Sequence, residues 1–194
     1  MDEDRRASRD WPITGVVLAG GAGRRMGGRD KGFVPWRGEP LIVHALRLFA
    51  GLPEVVISAN RSLARYQAFG HTVVGDERPD FPGPLIGLDR ALAQAQQPWA
   101  ACVPVDSPCL PADLITRLWR LRLAEGVVVA RSARGVEPLV CLIAPPARAA
   151  LSAYIARGGR TARAWFADLP TAWLSLTERE VTNCNTPEDL ADGS

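Results

Sequence analysis

A chain of 194 residues can bury one substantial core but is short for two full domains, and 47% hydrophobic with 23% charged residues is typical of a globular protein. The net charge of +2 is too small to indicate nucleic-acid binding, and no apolar run approaches the roughly 20 residues of a membrane span. We therefore predict a single domain over residues 11–194, preceded by a flexible tail at 1–10, with no nucleic-acid or membrane partner.

The cysteines indicate a reducing environment rather than a metal site. All four are widely spaced, without a Cys-x-x-Cys pair. That spacing predicts buried free thiols and argues against zinc. Since the N-terminus has no hydrophobic segment that would act as a secretory signal, we expect a cytoplasmic location.

The first predicted element is a buried strand over residues 13–18, and a basic, glycine-rich loop follows it. Glycine has no Cβ and tolerates positive φ, so such a loop can bring backbone N–H groups close to phosphate oxygens. Arg24, Arg25 and Lys31 add positive charge where a polyphosphate would lie. The loop thus predicts a phosphate-binding cradle.

Two familiar phosphate-binding loops fit this spacing less well. A Walker loop places a hydroxyl residue after its lysine, whereas Gly32 follows Lys31. A dinucleotide-binding turn reads Gly-x-Gly-x-x-Gly, whereas the glycines here are spaced Gly-x-Gly-x-x-x-Gly, and the acid expected after the second strand is missing. Because Arg61 in that position suits a 2′-phosphate, an NADP-dependent oxidoreductase stays open as an alternative.

The rest of the chain alternates apolar runs of strand and helix period, which predicts a doubly wound, mostly parallel α/β sheet with a small antiparallel or edge extension. The predicted helices are 41–49, 62–69, 85–97, one starting at Pro111, 147–157 and 161–168. The predicted strands after the first are 55–57, 71–74, 99–105, a hairpin of 127–130 with 137–143, and an edge strand at 171–176.

Polar residues directly follow the predicted strands, at the edge where such sheets bind ligands. Asp76 follows the third strand, and Asp106 follows the strand at 99–105. A carboxylate at the carboxyl end of a strand is a good magnesium ligand, so Asp106 is our candidate for Mg²⁺. The proline- and glycine-rich stretch 77–85, which includes Gly83, is preset by its turn residues and suits the wall of a base pocket.

The glycine loop resembles the nucleotidyltransferase signature Leu-Ala-Gly-Gly-x-x-x-Arg-Met-Gly-x-x-Asp-Lys, and its Asp-Lys-Gly ending resembles the molybdenum cofactor guanylyltransferase family. The likeness extends over residues 13–190. It includes Ala59-Asn60-Arg61, Asp76 with the following Phe81-Pro82-Gly83-Pro84-Leu85, Asp106-Ser107-Pro108 and the closing 183–190. Two departures are Ser58 where members can carry Asn, and Glu137 where relatives can carry His.

The resemblance implies a Rossmann-like nucleotidyltransferase that moves GMP from GTP to the phosphate of molybdopterin and releases pyrophosphate. It also implies Mg²⁺ as cofactor, with Asp106 as its ligand, and transient contacts with other cofactor-biosynthesis proteins and acceptor molybdoenzymes. The implied catalytic residues are Arg25, Lys31 and Asp106. The implied nucleotide- and substrate-binding residues are Leu18, Ala19, Gly20, Gly21, Lys31, Asn60, Asp76, Gly83, Asp106, Asn183 and Asn185.

Alternatives of the same fold are CTP transfer onto molybdopterin and nucleotidyl transfer to a sugar phosphate. Arg160 and Arg163 are candidates for holding a second anionic substrate, or else form a solvated helix face.

Overall fold

The computed structural model describes residues 11–20, 30–75 and 83–184, and its centre is one seven-stranded sheet. The strands are β1 (Ile13–Leu18), β2 (Pro35–Trp36), β3 (Glu39–Pro40), β4 (Glu54–Ser58), β5 (Thr72–Val74), β6 (Trp99–Pro104), β7 (Val127–Ser132), β8 (Gly135–Ile143) and β9 (Thr171–Ser175). The sheet order is β5-β4-β1-β6-β8-β7-β9. Only β8 runs against its neighbours, since it pairs antiparallel with β6 and β7 whereas the other pairs are parallel. The predicted mostly parallel sheet is confirmed.

Helices cover both faces of this sheet. They are α1 (Leu41–Leu48), α2 (Leu63–Gln67), α3 (Pro84–Gln94), α4 (Leu114–Arg120), α5 (Pro145–Ala156) and α6 (Ala162–Phe166). One core packs α1, α2 and α4 against the sheet, and a second core on the opposite face packs α3, α5 and α6. Burial on two faces explains the near-continuous apolar runs of β1 and β6, and it confirms the doubly wound arrangement.

The antiparallel extension has two parts, of which the sequence analysis predicted one. The hairpin of β7 with β8 and the edge strand β9 are confirmed. The two-residue strands β2 and β3 were missed, because a hairpin this short has no measurable period. Its turn places Arg37 and Gly38 at φ of 49° and 79°.

Two predicted helix boundaries were wrong. The helix expected from Pro111 begins at Leu114, after a turn in which Leu114 N donates to Pro111 O. Asp113 is therefore the N-cap residue rather than a first-turn residue, and its side chain makes no capping hydrogen bond. At the other boundary, α3 ends at Gln94 rather than at 97. Ala95 is already extended, with a ψ of 124°, and Pro98 disfavours helical geometry at Gln97.

The cysteines are free thiols, as predicted: Cys102, Cys141 and Cys184 are buried, and Cys109 is partly exposed. Within the described ranges, no helix combines the length and apolarity that crossing a bilayer requires. Residues 1–10 and 185–194 lie outside the described part, so the proposed domain boundary stays a prediction.

Close packing of α1 on β1 yields a stability prediction. A Cβ built on Gly15 would lie 2.5 Å from Cγ of Phe49, whose ring is only 2% exposed and has no room to move. We expect Gly15→Ala to lower the free energy of unfolding by about 1–3 kcal/mol, measured by urea denaturation. Gly75→Ala is the control, because the new Cβ would meet its nearest neighbours at an ordinary 3.5 Å. Equal urea midpoints for the two variants would contradict this packing.

Candidate active site

The carboxyl ends of β1 and β6 meet at one edge of the sheet and border a cavity of about 400 Å³. The backbone continues this pairing past the strand ends, since Val105 N donates to Leu18 O at 3.0 Å and Ala19 N donates to Ser58 O at 2.8 Å. The cavity is lined by Leu18, Ala19, Gly20, Lys31, Pro84, Pro104, Val105, Asp106, Glu137, Pro138, Leu139, Val140 and Asn183. Six predicted site residues are thus brought together in one cavity.

The two charged residues on which the sequence prediction depended touch each other. Lys31 Nζ lies 2.6 Å from Asp106 Oδ2, although the residues are 75 positions apart in the chain. Their side chains are only 21% and 23% exposed, so the pair is partly shielded from water. The cost of removing two charges from water offsets much of the attraction in such a pair, so the pair stabilises the protein little. The arrangement can accept both an anion and a cation.

The C-terminal segment fixes the turn that carries Asp106. Asp106 O accepts from Cys184 N at 2.8 Å, and Ser107 Oγ donates to Asn183 Oδ1 at 2.6 Å. Ser107 and Cys184 are buried. Asn183 is thereby positioned beside the Asp106 turn, in the lining of the cavity.

On the other side of the cavity, Gly20 exposes its backbone. A Cβ built there would lie 3.6 Å from Asn60 Nδ2, so Asn60 borders the end of β1 without lining the cavity itself. Gly83 is the N-cap residue of α3 with a φ of 156°, a conformation that side chains rarely adopt. Gly83 contributes to the cavity only by placing the next residue, Pro84, in its wall.

Some predicted site residues lie outside the described ranges, and two others lie away from the cavity. Gly21, Arg24, Arg25, Asp76 and Asn185 lie outside the described residues. Arg160 precedes α6 and Arg163 lies within it; both are exposed, and neither lines the cavity.

Glu137 is a cavity residue that the sequence analysis noted only as a departure from its relatives. Because β8 runs antiparallel, the start of this strand lies beside the end of β6, and Glu137 enters the cavity there. Burial raises the pKa of its carboxyl, the negative charge of Asp106 raises the pKa further, and Arg134 partly offsets both effects. Periodicity cannot reveal this position, because it does not show the direction of a strand.

Arg90 is a second residue that sequence reasoning missed. Its Nη1 donates to Gly75 O at 2.6 Å, so it anchors the end of β5 immediately before Asp76.

Over 11–20, 30–75 and 83–184, no group of three or more His, Cys, Asp or Glu side chains is arranged to hold a metal ion.

With the site's geometry established, comparison with known proteins identifies the family. The model of the MobA-like NTP transferase domain matches residues 15–173. This chain belongs to the MobA-like NTP transferases. A relative from Cupriavidus metallidurans, named molybdenum cofactor guanylyltransferase, is 46% identical over 192 residues, covering 94% of each chain. The resemblance drawn from the motifs is confirmed, and the chain is a nucleotidyltransferase.

Solved structures at low sequence identity share the fold of this chain. Molybdopterin-guanine dinucleotide biosynthesis protein A from Archaeoglobus fulgidus superimposes with a TM-score of 0.73 at 20% identity, covering 93% of this chain and 96% of that one. A Mycobacterium tuberculosis protein solved as a complex with manganese gives a TM-score of 0.69 at 20% identity, with the same coverage. The Rossmann-like fold predicted from the sequence is confirmed.

The raised pKa of Glu137 yields a pH-dependent prediction. A carboxyl whose pKa is higher in the folded than in the unfolded chain destabilises the fold once it is ionised. This destabilisation is complete above the folded pKa of Glu137 and absent below the ordinary value of 4.5. We expect Glu137→Gln to raise the melting temperature at about pH 7.5, and the gain to fade as the pH falls towards about 4.

The matched control is Glu125→Gln, which changes an exposed carboxylate just before β7, at the opposite edge of the sheet. It should shift the melting temperature little and equally at both pH values. An unchanged melting temperature of Glu137→Gln at the higher pH would show that ionised Glu137 does not destabilise the fold.

Proposed function

We propose that this protein transfers GMP from GTP to the terminal phosphate of molybdopterin and releases pyrophosphate, with Mg²⁺ as the divalent metal. The observation that carries the proposal is the contact of Lys31 with Asp106 in the cavity at the end of β1. It supplies one cation and one carboxylate at the point where a triphosphate and its metal would meet, in a chain of the MobA-like family.

The residues present fit a magnesium ion. Mg²⁺ is commonly held by one or two carboxylates together with substrate phosphates and water. Asp106 offers such a carboxylate inside the cavity, and Glu137 lines the same cavity close enough for the two charges to interact. Asp106 would hold the ion, which when bound supplies positive charge to the α-phosphate.

Lys31 has two roles in this proposal. Without ligand, its ammonium neutralises Asp106. With GTP bound, the three ammonium donors would turn to the phosphates and stabilise the charge that develops on departing pyrophosphate. Arg25, Asp76 and Asn185, which the family resemblance adds to the site, stay predictions.

The reaction needs no side-chain base. A phosphate monoester has a second pKa of about 6, so the attacking oxygen of molybdopterin is already ionised near neutral pH. A bond forms from this oxygen to the α-phosphorus of GTP, and the bond from that phosphorus to the β-bridging oxygen breaks, with the electron pair leaving on pyrophosphate. Positioning and charge neutralisation are then the main requirements.

The described part of the cavity agrees with that requirement, since its lining contains no His or Cys. His44 is occupied elsewhere: its Nε2 lies 3.0 Å from Trp36 O, and its ring meets the Trp36 ring edge-on. A cytoplasmic location and contacts with other cofactor-biosynthesis proteins or acceptor molybdoenzymes stay predictions.

Replacing the proposed metal ligand tests the mechanism. Asp106→Asn keeps the shape of the side chain but removes the charge, so we expect kcat for GMP transfer to fall by about 100-fold or more. Asp113→Asn is the control, because that exposed carboxylate lies 3.9 Å from Arg117 and outside the cavity lining. Both variants should retain cooperative thermal unfolding. Turnover of Asp106→Asn within a few-fold of wild type would reject the metal assignment.

Ligand-induced stabilisation tests the choice of nucleotide. A ligand present at 100 times its Kd stabilises the folded state by about 2.7 kcal/mol, which is readily seen as a higher melting temperature. We expect GTP with Mg²⁺ to raise the melting temperature more than CTP with Mg²⁺, and each to act weakly without the metal. NADPH should have no effect. Stabilisation by NADPH but not by GTP with Mg²⁺ would overturn the proposed function.

A further inference from the structure

Lys31 is the only lysine among the 23 lysine and arginine residues of this chain. An ammonium is a compact charge on a flexible stem, so the place from which the stem starts decides what it can reach. Lys31 opens a single 3₁₀ turn, Lys31–Phe33, directly after Asp30. Tyr66, in α2, contacts this turn at Asp30 and Phe33, although no residue of α2 lines the cavity.

Two hydrogen bonds converge on one oxygen beside the lysine. Asp30 Oδ1 accepts from Tyr66 Oη at 2.6 Å and from Gly32 N at 3.2 Å. The backbone closes the same turn, because Phe33 N donates to Asp30 O and Val34 N donates to Lys31 O, both at 3.1 Å. The residues on either side of Lys31 are therefore tied to Tyr66.

Packing tightens this connection. The Tyr66 side chain is fully buried, and a Cβ built on Gly32 would lie 2.2 Å from its hydroxyl oxygen. The hydroxyl thus rests directly on the Gly32 backbone, where only glycine fits. Phe33 packs on the Tyr66 ring with centroids 4.6 Å apart, and the Arg65 guanidinium lies 3.6 Å over the Phe33 ring.

The Tyr66 hydroxyl is chemically suited to donate a hydrogen bond to Asp30. Burial raises the pKa of Tyr66 far above its ordinary value, and the hydrogen bond to Asp30 raises it further. The hydroxyl is therefore protonated near neutral pH and can donate to Asp30. A carboxylate oxygen that accepts such a bond is fixed in orientation.

We propose that Tyr66 and Asp30 are positioning residues for Lys31: the chain of contacts from the Tyr66 hydroxyl through Asp30 to Gly32 N fixes the turn from which the lysine reaches Asp106 and the phosphates. This inference rests on the proposed function for what Lys31 does. Neither residue touches substrate in it. A displacement of about 1 Å at a charge that stabilises a transition state is enough to lower the rate substantially.

A double-mutant cycle tests the coupling. Tyr66→Phe removes one hydroxyl and keeps the ring, so we expect kcat for GMP transfer to fall about 10-fold, with the KM for GTP–Mg²⁺ changed by no more than about 2-fold. In a Lys31→Met background the same change should cost less than about 2-fold, because there is no ammonium left to position. An equal fall in both backgrounds would overturn the inference, since it would reveal a general structural effect. An unchanged kcat in the wild-type background would overturn it too.

The matched control is Tyr154→Phe. Its hydroxyl donates to Thr161 O at 3.2 Å, away from the cavity, and we expect unchanged kcat. Should Tyr66→Phe not fold, Asp30 provides an independent test. Asp30→Asn keeps an acceptor oxygen and should lose much less activity than Asp30→Ala, for which we expect about the 10-fold loss of the tyrosine variant. Equal losses for the two Asp30 variants would count against the inference.

The single lysine also allows a readout that does not depend on activity. Protein labelled with ¹³C,¹⁵N-lysine gives NMR signals from Lys31 alone. We expect Tyr66→Phe to shift or broaden them and Tyr154→Phe to leave them in place. A wild-type protein without GMP transfer would refute the proposed function, and the NMR comparison would still decide the positioning role. If the Lys31 signals of Tyr66→Phe were the same as those of the wild type, the positioning role would be refuted even for an active enzyme.

Discussion

The contact between Lys31 and Asp106 is the interaction on which the site depends, because it brings a cation and a carboxylate from distant parts of the chain together in one cavity. The lysine belongs to the loop that leaves β1, and the carboxylate follows β6. Parallel pairing of the two strands in register brings their carboxyl ends to the same edge of the sheet. The sheet therefore acts as a frame that converts a separation of 75 residues into a contact of 2.6 Å.

Helices pack against both faces of this frame. Each of the two cores buries one face of β1, so the end of the strand, where the proposed nucleotide-binding backbone starts, is packed on both sides. The reversed strand β8 then completes the cavity, because its first residues arrive beside the end of β6. A strand parallel to β6 in that place would begin at the opposite edge of the sheet, away from the cavity. Glu137 enters the cavity only as a result of this reversal.

The sequence was most informative where chemistry and local geometry coincide. A glycine-rich basic loop after an apolar strand predicts phosphate binding because glycine and positive charge serve the same ligand. An aspartate after a strand predicts a place at the sheet edge, and Asp106 is found there. Boundaries were less predictable at Pro111 and Pro98, where proline and local turns compete with helical period. The β2–β3 hairpin was missed because two-residue strands carry no periodic signal.

By itself the sequence determined the class of protein: strand and helix order, a glycine-rich basic loop predicted to bind phosphate, and the family whose motifs recur along the chain in order. These features are local, and each can be read within a window of about 18 residues. Only the tertiary structure decided which side chains come together: Tyr66 donates a hydrogen bond to Asp30, and Glu137 lines the same cavity as Asp106. Such contacts depend on strand direction, on register and on how a helix packs against a loop, and a local window of sequence does not show which distant segments come together.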